Sequence, residues 1–447
     1  MSRKANTRAK QGIKWTNKSV IALASDNDPV EVIEKLARAA VLAAMDAGWA
    51  GPPFSQLQLA THLGLRVEAD ATVRDAQTVP TADGLVIKFN PTQARERVRF
   101  SLAHECAHSL FPDCADAVRH RGGGEDSDDD WQLEMLCNIA AAEFVMPMGS
   151  VSHTAESPPL EDLLRSRRQF DVSIEAFLIR VARISREPLL MFCAAPRTRG
   201  DDVYYAVDYS VASPVWDRAR VDGSIIEAAS VVRECKSIGH TEHGVEDWPG
   251  IGSVHVEAVG VPAYPGDRLP RVVGLLRASG VVTKTPFEVV QGDVLNRAST
   301  PNRIVCQLVN DHARVWGGGV AGASAKKWPD AQRAYSHWIE GISKPNRLGQ
   351  VHVWSDGSTT LASLVAQHGV GAGAQPGIRY AALSTCLDKV AQVADEQALP
   401  VHMPRIGTGA AGGNWEIIEE LVQSQLISRG VAVTIVDPPP PRQDAIA

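Results

Sequence analysis

Two imidazoles bracket a carboxylate in His104-Glu105-Cys106-Ala107-His108. On a helix, positions i and i+4 project from one face about a turn apart, so both rings can reach a single Zn²⁺. Glu105 then faces the same cavity, where a carboxylate serves as general base for a metal-bound water. A hydrolytic zinc centre uses three protein donors and keeps one position open, so a third donor is required. Glu134 is the first candidate on a following helix. Glu143 on that helix and Asp128, Asp129 and Asp130 just before it are alternatives.

A second set of residues lies towards the C-terminus. Gly292-Asp293 closes one expected strand, Val315-Trp316-Gly317-Gly318-Gly319-Val320 opens a loop after the next, and Gly407-Thr408-Gly409-Ala410-Ala411-Gly412-Gly413 joins a later strand to a helix. Glycines let backbone N–H groups approach phosphate oxygens, and a helix N-terminus adds its dipole. Two such loops in one α/β unit therefore suit a diphosphate at the strand ends. Neither loop is G-x-x-x-x-G-K-[ST] or G-x-G-x-x-G, which argues against a P-loop NTPase and a Rossmann dehydrogenase.

The elements that must position these residues follow from periodicity and punctuation. Helical spacing covers 29–46, and Ser55 is the expected N-cap of a short helix stopped by Gly64, the place where a helix-turn-helix and DNA contact would begin. Residues 84–90 read as a strand; Asn90 and Pro91 then supply a cap and first turn for a helix to about Leu110, which Pro112 stops. A second helix is expected over 131–146, and two more over 159–168 and 174–185. Short β-like runs are expected at 189–194, 203–207, 253–261 and 271–276, and from Phe287 strands and helices alternate, the pattern of an α/β domain.

The chain has 447 residues, enough for several domains, with 44% hydrophobic and 22% charged residues, which argues against disorder. Its 45 basic and 52 acidic side chains give a net charge of −7, without the basic bias of a dedicated nucleic-acid binder. Residues 1–25 are the exception, with six basic and no acidic side chains, and read as a flexible tail. Seven scattered cysteines without C-x-x-C spacing indicate reduced thiols. With no apolar run long enough to span a membrane and no secretion signal, the expected location is the cytoplasm, away from membranes.

The segment from Arg97 to His108, followed by Glu134 to Pro147, resembles the ImmA/IrrE family of metallopeptidases, and 170–180 resembles that family's closing helix. The resemblance implies zinc on His104, His108 and Glu134 with Glu105 as base. Its members typically cleave repressors of mobile elements or stress regulons, so a protein substrate of that kind is expected. One branch also carries a helix-turn-helix and a GAF-like module, which by position corresponds to 188–282. Cys106-Ala107 departs from the family's usual Leu-Gly without touching the ligands.

Residues 285–437 resemble a macrodomain, an ADP-ribose-binding α/β/α fold. The resemblance implies that Asp293 binds the adenine amino group and that Asn310 and Gly317, Gly318 and Gly319 hold the distal ribose and phosphate. Gly407, Thr408 and Gly409 wrap the diphosphate, and the contacts extend to Val320 and Ala410. One hydrolytic branch uses a lysine and an aspartate where this chain has Gln367 and Ala411, which favours binding over hydrolysis.

The expected architecture is thus multidomain α+β and α/β. A basic tail (1–28) precedes a helical HExxH metallopeptidase (29–187), a GAF-like α+β module (188–282), an α/β/α macrodomain (283–437) and a proline-rich tail (438–447). The expected activity is a zinc metalloendopeptidase regulated by, or recruited through, ADP-ribose or an ADP-ribosylated macromolecule. The alternative is an ADP-ribosylation reader or ADP-ribosyl hydrolase with a degenerate peptidase scaffold.

Overall fold

A computed structural model describes residues 14–82, 84–116, 119–120, 129–151, 158–200, 202–264, 267–278, 287–296, 302–369 and 376–439. The expected tail up to residue 13, the acidic stretch through Asp128 and the chain from Pro440 lie outside the described residues. The chain divides into two compact units, Met1–Val41 with Phe54–Val145, and Leu42–Pro53 with Met146–Ala447. Both mix helices and sheets. Among the described residues no helix is long and apolar enough to cross a membrane.

The first unit runs α1 (Lys18–Ala24), α2 (Pro29–Asp46, which continues past Val41), α3 (Gln56–His62), β1 (Arg66–Ala69), β2 (Ala76–Thr81), β3 (Gly84–Phe89), α4 (Arg95–His108), β4 (Arg119–His120) and α5 (Asp130–Val145). Its four strands form one sheet in the order β1-β3-β2-β4. Asp28 starts α2 by accepting the Val30 N–H at 2.8 Å, and Pro29 fills the first helical position, where a missing N–H is harmless. Along α5, Leu133, Leu136, Cys137, Ala140, Ala141 and Phe144 are buried at helical spacing, and α5 packs against α4, of which every residue from Ser101 to His108 is buried.

Two expectations are corrected in this unit. Asn90 does not cap α4. Its side-chain oxygen accepts the Thr92 N–H at 3.0 Å in an Asx turn, its amide donates to the Val73 carbonyl at 2.9 Å, and the helix begins only at Arg95. Nor does α3 open a helix-turn-helix. Ser55 caps it as expected, accepting the Gln58 N–H at 3.3 Å, but after Gly64 the chain enters strand β1 instead of a second helix.

The second unit contains α6 (Leu160–Arg167), α7 (Ile174–Ile184) and β5 (Leu189–Arg199), β6 (Asp202–Ala212), β7 (Thr241–Trp248), β8 (Gly252–Val261) and β9 (Arg271–Ala278). These five strands make an antiparallel sheet, β6-β5-β9-β8-β7. There follow β10 (Phe287–Gln291), β11 (Arg303–Asn310), α8 (Gly319–Lys327), α9 (Pro329–Glu340), β12 (Val351–Ser355), β13 (Thr359–Gln367), α10 (Tyr380–Gln397), β14 (Val401–Met403), α11 (Trp415–Gln425) and β15 (Val433–Asp437). Their sheet has the order β10-β15-β14-β11-β13-β12, parallel except for the β12 edge. Strands β11 and β13 are almost wholly buried, as strands covered by helices on both faces must be. The C-terminal ends of the five parallel strands all lie along one edge.

Within this unit α10 and α11 are pinned by charges. Asp46 accepts the N–H groups of Tyr380 at 2.7 Å and Ala381 at 3.2 Å and so caps α10 from more than 300 residues away. Burial pushes its carboxyl above the usual range, against the pull of those two hydrogen bonds. On α11, Glu420 accepts from Arg180 and from the Gly149 N–H, both at 2.6 Å, and Glu419 pairs with Arg186. Removing one partner of a buried pair typically costs about 3–5 kcal/mol. Gly149 has φ +71°, and a Cβ there would lie 2.4 Å from the Ile417 backbone, so no other residue fits this junction.

Candidate metal centre and candidate nucleotide cleft

Helix α4 places His104 and His108 on one face with ring centroids 5.0 Å apart, and α5 brings Glu134 opposite them. Glu134 Oε2 is 2.9 Å from His104 Nε2, and Oε1 is 3.7 Å from His108 Nε2. A tetrahedral zinc with bonds of about 2.0–2.2 Å separates its ligand atoms by about 3.3–3.6 Å. The two observed separations bracket that range.

The far side of each ring is held as well. His104 Nδ1 donates to Asn138 Oδ1 at 3.0 Å, so Nε2, the nitrogen that faces Glu134, is the one placed to serve as a metal ligand. Cys137 Sγ lies 3.4 Å from His108 Nδ1. His104, His108 and Cys137 also gather donor atoms within 4.8 Å of one another. That set competes with the Glu134 set only in appearance, because Cys137 meets His108 at the nitrogen facing away from Glu134. One metal cannot use both sides of one imidazole. Among Glu134, Glu143, Asp129 and Asp130, the carboxylate found against both Nε2 atoms is that of Glu134; Asp130 instead sits 3.4 Å from the Asn17 amide.

Glu105 is fully buried on the same helix, and the Thr78 hydroxyl of β2 donates to its Oε2 at 2.8 Å. Burial pushes the neighbouring Cys106 thiol far above its ordinary range, so it stays protonated. Sequence reasoning missed Asn138, Cys137 and Thr78. The first two carried a signal, since they lie three and four residues after Glu134 and hence on its face.

In the second unit, the glycine-rich residues gather at the shared C-terminal edge of the parallel strands. Asp293 follows β10 and accepts the Leu295 N–H at 2.9 Å. Asn310 ends β11, where its side-chain oxygen accepts the N–H groups of His312 at 3.0 Å and Ala313 at 2.6 Å, shaping the loop that leads to Gly317. Gly317, Gly318 and Gly319 are exposed, a Cβ on any of them would meet nothing within 4 Å, and α8 starts at Gly319 with Val320 in its first turn. Gly407 has φ +79° and its carbonyl accepts the Gly413 N–H at 2.8 Å, closing a loop whose tip exposes Gly409 and Ala410. Thr408 turns its hydroxyl onto the Arg405 carbonyl at 2.8 Å. Arg405 in turn forks onto Asp437 at 2.9 and 3.2 Å. Gln367 ends β13, and Ala411 is buried in the core, so neither position supplies an amine or a carboxylate.

Three residues at this edge were not anticipated. Asp311, 6% exposed, follows Asn310 directly. Its Oδ1 lies 2.6 Å from His312 Nδ1 and accepts the Gly369 N–H at 3.0 Å, while its Oδ2 is 2.7 Å from His368 Nδ1. Burial alone would raise its carboxyl pKa; the Gly369 N–H and the two imidazoles outweigh that and hold it below the ordinary value.

No family model matches the sequence. Residues of the chain are 30% identical over 161 positions to the mouse (Mus musculus) Chromodomain-helicase-DNA-binding protein 1-like, a match that covers 34% of this chain and 18% of that protein. The chain therefore spans less than a fifth of that relative's length. Among solved structures, a macrodomain protein from Streptomyces coelicolor is 30% identical, with 34% of this chain and 98% of that one covered and a TM-score of 0.29. DarTG of Thermosipho africanus, solved in complex with ADP-ribose, is 15% identical, with 35% and 42% covered and a TM-score of 0.28. Macrodomain structures are thus similar to about a third of the chain.

Proposed function

We propose that the chain is a zinc-dependent endopeptidase whose action is regulated by, or directed through, ADP-ribose recognised at the C-terminal sheet edge. The observation that carries the peptidase reading is the convergence of two imidazole Nε2 atoms on the Glu134 carboxylate, with Asn138 and Cys137 at the opposite ring nitrogens. His104, His108 and Glu134 would hold the metal. Zinc held there would supply Lewis acidity for hydrolysis of a peptide bond. Glu105 accepts a proton at its carboxylate and returns it to the departing amine, and Thr78 orients that carboxylate through Oε2. The ImmA/IrrE resemblance supports this assignment and suggests a repressor-type protein as substrate in stress or mobile-element control.

The ADP-ribose reading is supported by the open, exposed Gly317–Gly319 and Gly409–Ala410 loops on one edge, beside Asp293 and Asn310. Asp293 takes the adenine amino group, and the two glycine loops take the distal ribose and the diphosphate. Calorimetry with ADP-ribose on the intact chain tests it. Asp293→Ala removes one charge-assisted hydrogen bond, worth about 1.5–3 kcal/mol, and is expected to weaken binding by roughly 10- to 150-fold. Unchanged affinity would remove Asp293 from the site.

A further inference from the structure

Besides the group around His104 and His108, one other cluster among the described residues gathers metal-donor atoms within 4.8 Å of one another: Asp311, His312 and His368. Asp311 and His312 follow β11, and His368 follows β13, its parallel neighbour, so strand order brings them together. Asp311 is buried, while both imidazoles are about half exposed. The ring pair repeats the arrangement found on α4. His312 and His368 have centroids 5.2 Å apart at an interplanar angle of 71°, against 5.0 Å and 75° for His104 and His108. Metal–nitrogen bonds of about 2.0–2.1 Å at a tetrahedral angle set two imidazole centroids about 5 Å apart.

We propose that these three residues form a second metal site, which takes a divalent transition ion such as Zn²⁺, Co²⁺ or Ni²⁺ on the Asp311 carboxylate and both Nδ1 atoms. The donors already face one another. Asp311 Oδ1 lies 2.6 Å from His312 Nδ1 and Oδ2 lies 2.7 Å from His368 Nδ1, lengths at which a proton on each nitrogen bridges the gap. Donors sharing a tetrahedral ion stand about 3.3 Å apart, so the ion displaces those protons and the rings withdraw by roughly 0.6 Å. Half exposed, both rings can do so, and solvent carries each displaced proton round to Nε2. Their backbones are fixed: the His312 N–H donates to Asn310 Oδ1 at 3.0 Å and the His368 N–H to the Gly377 carbonyl at 2.7 Å. Arg347 donates to the Asp311 carbonyl at 3.1 Å and the Ile342 carbonyl at 3.0 Å, which leaves the carboxylate to the imidazoles and to the Gly369 N–H at 3.0 Å. Two nitrogens and one oxygen select borderline transition ions over Mg²⁺ and Ca²⁺, which prefer oxygen alone. The ion clips the connection leading to Gly317 onto the neighbouring strand end, whatever the glycine loops bind. Its exposed ligands let it exchange, so dialysis against a moderate chelator empties this site and leaves the buried α4 centre loaded.

The test titrates Zn²⁺ calorimetrically into the full chain after that dialysis. One exchangeable Zn²⁺ per chain is expected in the wild type and equally in Glu134→Ala, with a melting temperature that rises as free Zn²⁺ is added. His312→Gln and His368→Gln should each weaken this binding by more than about 100-fold, since each removes a donor. Both side chains are half exposed, so the variants should fold, and circular dichroism checks that they do. Asp311→Asn should cost as much. Co²⁺ in place of Zn²⁺ should give visible absorption bands that vanish in the same variants. An exchangeable Zn²⁺ that survives in both histidine variants is adventitious and overturns the site, as does its absence from the wild type. Displacement by an equal concentration of Mg²⁺ would overturn it too. Full affinity in a folded Asp311→Asn chain would leave a bare histidine pair and refute the three-donor assignment.

Discussion

Glu134→Ala is expected to empty the metal centre: the purified wild-type chain should carry one zinc, and the variant none after dialysis against a moderate chelator. The reason is donor count. With Glu134 gone, two imidazoles remain, each already committed at its other nitrogen to Asn138 or Cys137. Losing the hydrogen-bond partner behind a metal-bound imidazole typically costs 10- to 100-fold in metal affinity, so losing a donor itself should exceed about 100-fold. Asn138→Ala should fall in the 10- to 100-fold range, by releasing His104 from its tautomer. Glu143→Ala should keep the metal. Elemental analysis together with circular dichroism separates metal loss from unfolding. Zinc retained in Glu134→Ala but lost in Cys137→Ala would move the donor set to the other face of His108.

Gly409→Phe should reduce ADP-ribose affinity by more than about 100-fold, beyond the effect of Asp293→Ala. A Cβ at Gly409 meets nothing within 4 Å, so the variant can fold, and its ring then fills the space over the loop that a diphosphate needs. Burying a phosphate against a group unable to hydrogen-bond is costly. Gly413 makes the contrast. A Cβ there would lie 2.8 Å from the Gly407 carbonyl oxygen, so substitution at that position would report on folding. Wild-type affinity in a calorimetric titration of Gly409→Phe would place the diphosphate elsewhere.

What the sequence disclosed follows from range. His104, Glu105 and His108 were readable because one helix repeats every 3.6 residues, and the site's face was readable from that period. Thr78 was not, because it reaches Glu105 from strand β2, and no local pattern records which strand packs against α4. The Asn90-Pro91 pair carried the residue types of a helix start, yet Asn90 satisfies the same chemistry in a turn, and the two cannot be told apart locally. Strand β7 escaped notice because its edge position leaves it mostly polar, with Glu242, Glu246 and Asp247 along it. Helix α8 begins at Gly319 and carries Gly322, so propensity argued for a loop where packing makes a helix. The Asp311–His368 pair joins residues on adjacent strand ends that are far apart in sequence, and strand order decides that meeting.

Peptide cleavage by the His104–His108–Glu134 centre can be measured without knowing the substrate. Protein N-termini are compared by mass spectrometry in cells expressing the wild-type chain or Glu105→Gln, with zinc content of both purified proteins matched. At least one internal N-terminus is expected to appear with the wild type and to be absent with Glu105→Gln, since removing a general base typically costs 10²- to 10⁴-fold. Identical N-termini from two equally zinc-loaded proteins would rule out peptide cleavage by this centre.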